Sequence, residues 1–174
     1  MARRVLPAIL FVGVAAFGNS AAAAGLVEGD RLAASAGIFD VSDRDYGSAE
    51  GRIEYRSGLR ALALGTFFDG FHPILGLMAN ADGGLFGYGG VSAVFTPTDR
   101  LSIVPAAGVG GYRQGDSRPL GGVFEFHVAM SVEYAIDAQD DRVGVTFAHI
   151  SNAGIHNQNP GVNSLLLTVD VPFH

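Results

Sequence analysis

The sequence predicts an all-β chain, an eight-stranded antiparallel transmembrane β-barrel, and three observations carry that prediction. Hydropathy alternates with a period of two over runs longer than the usual 5–6 residues of a soluble strand. The stretches between the runs are rich in glycine, of which the chain has 25 in 174 residues, about double ordinary usage. Beyond the N-terminal segment, no stretch approaches the ~18 consecutive apolar residues that a spanning helix needs. Because the chain is 48% hydrophobic, disorder does not explain the glycine, whereas bends and close packing in a small barrel do.

Residues 1–24 have a basic start at Arg3 and Arg4, an apolar run from Val5 to Phe17 and a small-residue stretch ending at Ala24. That order describes a secretory signal peptide. The expected mature domain is 25–174, one domain by length. It carries nine arginines against seventeen carboxylates, a net charge near −8, which argues against nucleic acid as a partner. Cysteine is absent. The exported chain therefore has no disulfide and offers neither a thiol nucleophile nor a thiolate metal ligand.

Eight strands are expected, at 30–41, 48–57, 59–69, 84–96, 99–113, 121–136, 141–152 and 162–173. In the second, Glu50, Arg52, Glu54 and Arg56 face one way and Gly51, Ile53 and Tyr55 the other; adjacent charges of mixed sign suit a polar, self-paired lumen. The third to fifth are read with glycine and alanine blurring their faces. The sixth is the clearest. Phe124, Phe126, Val128, Met130, Val132, Tyr134 and Ile136 form an apolar face opposite Glu125, His127 and Glu133, and a tilted membrane strand needs about this length.

In the seventh strand Val143, Val145, Phe147, His149 and Ser151 share a face. In the eighth, Leu165, Leu167, Val169, Val171 and Phe173 lie opposite Ser164, Thr168 and Asp170. The final aromatic Phe173 resembles the assembly signal of bacterial outer-membrane barrels, with His174 following it. Short connections are expected at 57–58, 96–98 and 137–140 and longer ones at 41–47, 70–83, 114–120 and 153–161, the alternation of periplasmic turns and outer loops. A soluble secreted β-sandwich would also alternate, but the apolar face of 124–136 has no second sheet matched to it.

His149 and Ser151 interrupt an otherwise apolar outward face. The seventh strand runs upward from a periplasmic turn, so both residues fall at its outer end, level with the headgroups of the outer leaflet. Serine needs an adjacent base to act as a nucleophile, and histidine suits that role. Two residues apart on a strand they share a face, with Cα atoms about 6.5–7 Å apart. From the spacing alone, an interfacial His and Ser in a polar girdle is the preferred reading.

The stretch His149-Ile150-Ser151-Asn152-Ala153-Gly154, the loop carrying Asn159-Pro160-Gly161, and the final apolar strand together resemble the lipid A 3-O-deacylase (PagL) family. Gly37-Ile38-Phe39-Asp40 is similar to that family's opening strand. The resemblance implies a Gram-negative outer-membrane barrel whose serine-hydrolase site is on its lipid-facing wall and whose partner is lipid A of lipopolysaccharide in the outer leaflet. It gives Ser151 as nucleophile, His149 as general base, and the Asn152 side chain and Gly154 N–H as oxyanion donors, with no cofactor.

The position of the triad's acid falls on Asn163, which parity places on the same outward face as His149. An asparagine can orient an imidazole without supplying charge. A substitute acid from a loop would be Asp69, Asp82 or Asp116. The alternative is a barrel that holds the motif without turnover and has a structural or adhesive role.

Other polar residues read simply. Glu125, His127 and Glu133 belong to the lumen. His72 and His156 have no partners at metal-ligand spacing, so no metal is expected. Phe71, Ile74, Leu75 and Met78 read as an apolar outer loop. Homodimers occur among such barrels, and no feature of this sequence argues for one.

Overall fold

The computed structural model describes residues 29–173; the export segment read at 1–24 lies outside them. Its strands are β1 (Arg31–Phe39), β2 (Ser48–Arg56), β3 (Phe68–Asn80), β4 (Leu85–Phe95), β5 (Leu101–Arg113), β6 (Phe124–Ala135), β7 (Arg142–Ser151) and β8 (Val162–Pro172). Each pairs antiparallel with its neighbour in the chain, and β1 pairs with β8 to close the barrel. Closure leaves no strand edge unpaired, which hydrocarbon surroundings demand.

Asp30 and Phe173 meet at one rim, where the Phe173 N–H donates to the Asp30 carbonyl at 2.8 Å. The opposite rim, here the loop rim, carries the connections 40–47, 81–84, 114–123 and 152–161.

Side chains divide as the alternation predicts. On β6, Glu125, His127, Ser131 and Glu133 are buried inside, while Phe124, Val128, Met130, Val132 and Tyr134 are exposed on the wall. The lumen is filled by Phe39, Met78, Phe86, Tyr88 and Ile150 and by paired charges. Arg56 meets Glu54 at 2.9 Å, Glu133 at 2.8 Å and Asp170 at 2.7 Å; Arg52 meets Glu50 at 2.7 Å. A hydroxyl ladder of Ser35, Thr168, Thr146 and Ser131 crosses β1, β8, β7 and β6 at 2.7–2.9 Å. Apart from His149, Ser151 and Asn163 near the loop rim, the wall between the rims is a continuous apolar surface that a soluble protein would have to cover. Aromatic residues gather toward its two rims, with Phe67, Phe68, Phe71 and Phe95 at one and Phe124 with Phe126 at the other. That banding is the pattern of a bilayer-spanning barrel.

The third strand lies elsewhere than expected. Residues 57–67 form a long connection at the terminal rim, broken by left-handed backbone at Leu62 (φ 58°) and Gly65 (φ 66°), and β3 occupies 68–80, where a loop was expected. Gly70, Pro73 and Gly76 disguise that strand. Pro73 sits at the end of the β2–β3 ladder, opposite Ser57. Its carbonyl accepts from the Ser57 N–H at 2.9 Å, and the Ser57 carbonyl, which a proline nitrogen cannot serve, lies 3.0 Å from His72 Nδ1 instead. Phe71, Ile74, Leu75 and Met78 are therefore barrel wall rather than loop. Ile74 and Met78 point inward and are buried; Phe71 and Leu75 face out. The expected alternation of loop lengths changes with them, because 57–67 is long and 81–84 is a tight turn.

Candidate active site

β7 lies between β6 and β8, and its register fixes what surrounds its outer end. His149 is paired with Val128 on one side and Asn163 on the other, and Ser151 is paired with Phe126. Both His149 and Ser151 are half-buried on the outward face, while Ala148, Ile150 and Asn152 are buried inward. The pair thus sits on the outside wall at the loop rim, flanked by the apolar side chains of Phe126, Val128, Phe147 and Leu165.

His149 Nδ1 is 2.8 Å from Asn163 Oδ1. The partner expected at the acid position is therefore in place, as an amide. No hydrogen bond among the described residues joins Ser151 to His149. The imidazole is held on its far edge by Gly161, where the left-handed backbone (φ 62°) lets the Cα approach so closely that a Cβ there would lie 2.9 Å from His149 Cε1 and 3.4 Å from Nε2. His149 is thereby confined between an amide on its Nδ1 side and a bare backbone on its Cε1 side.

The loop after β7 is organised around Asn152, which is fully buried. Its Nδ2 donates to the carbonyls of Leu120 at 2.6 Å and Gln158 at 2.8 Å. Its Oδ1 accepts the Gly154 N–H at 2.9 Å, and its own N–H donates to Asn159 Oδ1 at 3.0 Å. Ala153 (φ 54°) and Gly154 (φ 80°) are both left-handed, a tight reversal immediately after Ser151. Of the two expected oxyanion donors, Asn152 Nδ2 is thus committed to the Leu120 and Gln158 carbonyls, and the Gly154 N–H to Asn152 Oδ1.

None of the three expected substitute acids is hydrogen-bonded to His149, whose side-chain partner is Asn163. Asp69 is at the terminal rim, paired with Arg60, and Asp82 and Asp116 meet through their backbones at 2.8 Å in neighbouring loops. The carboxylate that the structure brings near is Asp40. It ends β1 in the left-handed region (φ 52°) and is buried. Asp40 Oδ1 accepts from Ser42 Oγ at 2.9 Å, and Ser42 Oγ accepts from Asn163 Nδ2 at 3.0 Å. Asp40 also pairs with Arg118, which reaches Asp43 at 2.9 Å and lies over the Tyr46 ring. The Val41 N–H donates to the Asn163 carbonyl at 2.8 Å, so backbone pairing delivers this loop to the site.

His72 lies on β3 near the terminal rim, and His156 lies in the loop after β7 with its ring against Gly122. His72 Nδ1 is 3.0 Å from the Ser57 carbonyl. No cluster of metal-ligating side chains occurs among the described residues.

A family model described as lipid A 3-O-deacylase (PagL) matches residues 51–172. Among solved structures, the crystal structure of the outer membrane enzyme PagL is similar to this chain at 20% identity and a TM-score of 0.61, covering 82% of this chain and 99% of that one. A de novo designed transmembrane β-barrel is similar at 8% identity and a TM-score of 0.54, covering 83% and 96%. At these identities the structural likeness speaks to the fold alone. No curated protein sequence matches.

Proposed function

The chain belongs to the lipid A 3-O-deacylase (PagL) family, and from that membership and the wall geometry we propose that it is an outer-membrane serine esterase that hydrolyses an ester-linked acyl chain of lipid A. The observation that carries this reading is the placement of His149, held by Asn163 at 2.8 Å, beside Ser151 on the lipid-facing wall at the loop rim. An acyl ester at the hydrocarbon–headgroup boundary of the outer leaflet lies at that level. The apolar wall around the pair offers its acyl chain a surface.

In this reading Ser151 Oγ attacks the ester carbonyl as its proton passes to His149 Nε2. The tetrahedral oxyanion collapses to an acyl-serine, and His149 returns the proton to the departing sugar hydroxyl. Water then attacks the acyl-serine, giving its proton to His149, and the fatty acid leaves with Ser151 restored. Asn163 orients the imidazole and supplies no formal charge. The oxyanion is stabilised at the Asn152–Gly154 reversal, where it takes over the Gly154 N–H from Asn152 Oδ1. One such donor is worth roughly 10²–10³ in rate. Contact with substrate draws Ser151 and His149 into hydrogen-bond reach, as catalytic pairs that are loose in free enzymes commonly do.

The second reading, a barrel with a structural or adhesive role and no turnover, draws on the engaged donors and the missing Ser151–His149 bond. One experiment separates the two. The protein and its Ser151→Ala variant are expressed in a host with unmodified lipid A, and the lipid A is weighed by mass spectrometry. The esterase reading expects loss of one acyl chain with the wild-type protein and none with the variant. Unchanged mass with a correctly folded wild-type barrel overturns it.

A further inference from the structure

We propose that Asp40 is a positioning residue for His149, acting through Ser42 and Asn163 to fix which imidazole nitrogen carries the proton. The inference rests on His149 being the general base of the reaction proposed above, and it concerns residues that lie outside the expected triad.

Asn163 offers an acceptor oxygen and a donor amide at nearly the same place, and by itself it fits His149 in either orientation. With Oδ1 toward the ring, Nδ1 must carry hydrogen and Nε2 is free to accept the serine proton. With the amide reversed, Nδ2 donates to Nδ1, the proton moves to Nε2, and the base is lost.

Ser42 alone does not decide between them, because a hydroxyl both donates and accepts. The carboxylate of Asp40 does decide, because it only accepts. It takes the Ser42 hydroxyl proton at 2.9 Å, so Ser42 can only accept from Asn163 Nδ2 at 3.0 Å, and Asn163 Oδ1 must then face His149 Nδ1 at 2.8 Å. Arg118 occupies the other oxygen of Asp40, and burial of the carboxylate keeps water from competing for it, while Ser42 and its bond to Asn163 are exposed. The chain of three hydrogen bonds has one allowed direction, and that direction leaves Nε2 bare.

Replacing Asp40 by asparagine reverses the logic. The charged Arg118 takes the single amide oxygen, so Nδ2 faces Ser42 and donates to it. Ser42 then donates to Asn163 Oδ1, and Asn163 turns its amide hydrogens toward His149.

The test is nitrogen NMR of protein labelled with ¹⁵N in its histidine rings, in detergent micelles at a pH where the ring is neutral, with His149 assigned by difference from His149→Gln. Wild type should show the Nδ1–H form, Asp40→Asn the Nε2–H form, and Ser42→Ala a mixture, while Ser42→Thr should keep the wild-type pattern. Ser42→Ala leaves the Asp40–Arg118 pair intact, so its effect is not that of a loosened loop. A wild-type Nε2–H form, or spectra of Asp40→Asn and Ser42→Ala that match wild type, overturns the inference.

Rates on lipid A in micelles give the second readout. Ser42→Ala should lower kcat about tenfold with KM within about twofold. In an Asn163→Asp background, whose carboxylate needs no orienting, the same change should cost less than about twofold. Equal losses in both backgrounds mean a merely structural role and also overturn it. If wild type releases no fatty acid yet shows the expected ring form, the esterase reading falls and the tautomer assignment stands.

Discussion

Gly161 and His149 touch through a surface that only glycine can present: a Cβ at 161 would lie 2.9 Å from His149 Cε1, and the backbone there is left-handed at φ 62°. Gly161→Ala is therefore expected to lose about 1–2 kcal/mol through the left-handed strain alone and to push the imidazole off its line to Ser151. Fatty-acid release should fall at least about tenfold, since small displacements of a catalytic base are costly. Initial rates beside a heat-modifiability gel separate the two effects. A variant as active as wild type would show that the ring is not held from this side.

Asn163→Asp puts a carboxylate where the amide now meets His149 at 2.8 Å. It keeps the shape and adds charge that stabilises the imidazolium, so kcat on lipid A should rise about tenfold. A fall in kcat would mean that Asp40, two hydrogen bonds further on, already supplies what the site tolerates.

Asn152→Ala removes a buried side chain that makes three hydrogen bonds within the β7–β8 loop and its neighbour. If Asn152 holds the reversal that presents the Gly154 N–H to the oxyanion, misplacing that one donor should lower kcat by up to roughly 10²–10³-fold. Protease sensitivity of 152–161 tells whether the loop itself has opened. A loop that stays closed with activity intact removes Asn152 from the mechanism.

Arg56→Met removes a cation shared by Glu54, Glu133 and Asp170 inside the barrel; Asp170 keeps Arg31 and Glu54 the Tyr88 hydroxyl, whereas Glu133 loses its salt-bridge partner. Leaving a buried carboxylate unpaired costs about 3–5 kcal/mol, which urea unfolding in detergent should read as an early midpoint. The wall site is untouched by the change, so specific activity of the folded fraction should hold.

The barrel was legible in the sequence because its two environments impose opposite chemistry on alternate residues. β6 states this plainly, with Glu125 and His127 inside and Phe126 and Val128 outside. β3 hid because Gly70, Pro73 and Gly76 read as turn residues, and only the register shows that Pro73 stands at the end of the β2–β3 ladder, where His72 serves the carbonyl that a proline nitrogen cannot. The pairing of His149 with Asn163 followed from hairpin parity, and the structure has it so.

Asp40 did not follow, although it stood in the quoted opening strand. Its link to Asn163 runs across the closure of β1 on β8, where Ile38 pairs with Leu165. Carrying that register two residues on would have set Asp40 beside Asn163. Ser42 and the left-handed turn at Asp40 depend on the loop's own backbone, which no alternation of hydropathy reports.

The placement of His149 and Ser151 on the outer surface of a closed and filled barrel has a kinetic consequence. Nothing reaches them through the filled lumen, so under the proposed esterase reading ester and fatty acid would both arrive and depart by lateral diffusion within one leaflet. The quantity that saturates such a site is a number of molecules per unit area, not per unit volume. Diluting the host lipid with an inert one at constant bulk concentration should slow the reaction as sharply as withdrawing the substrate itself.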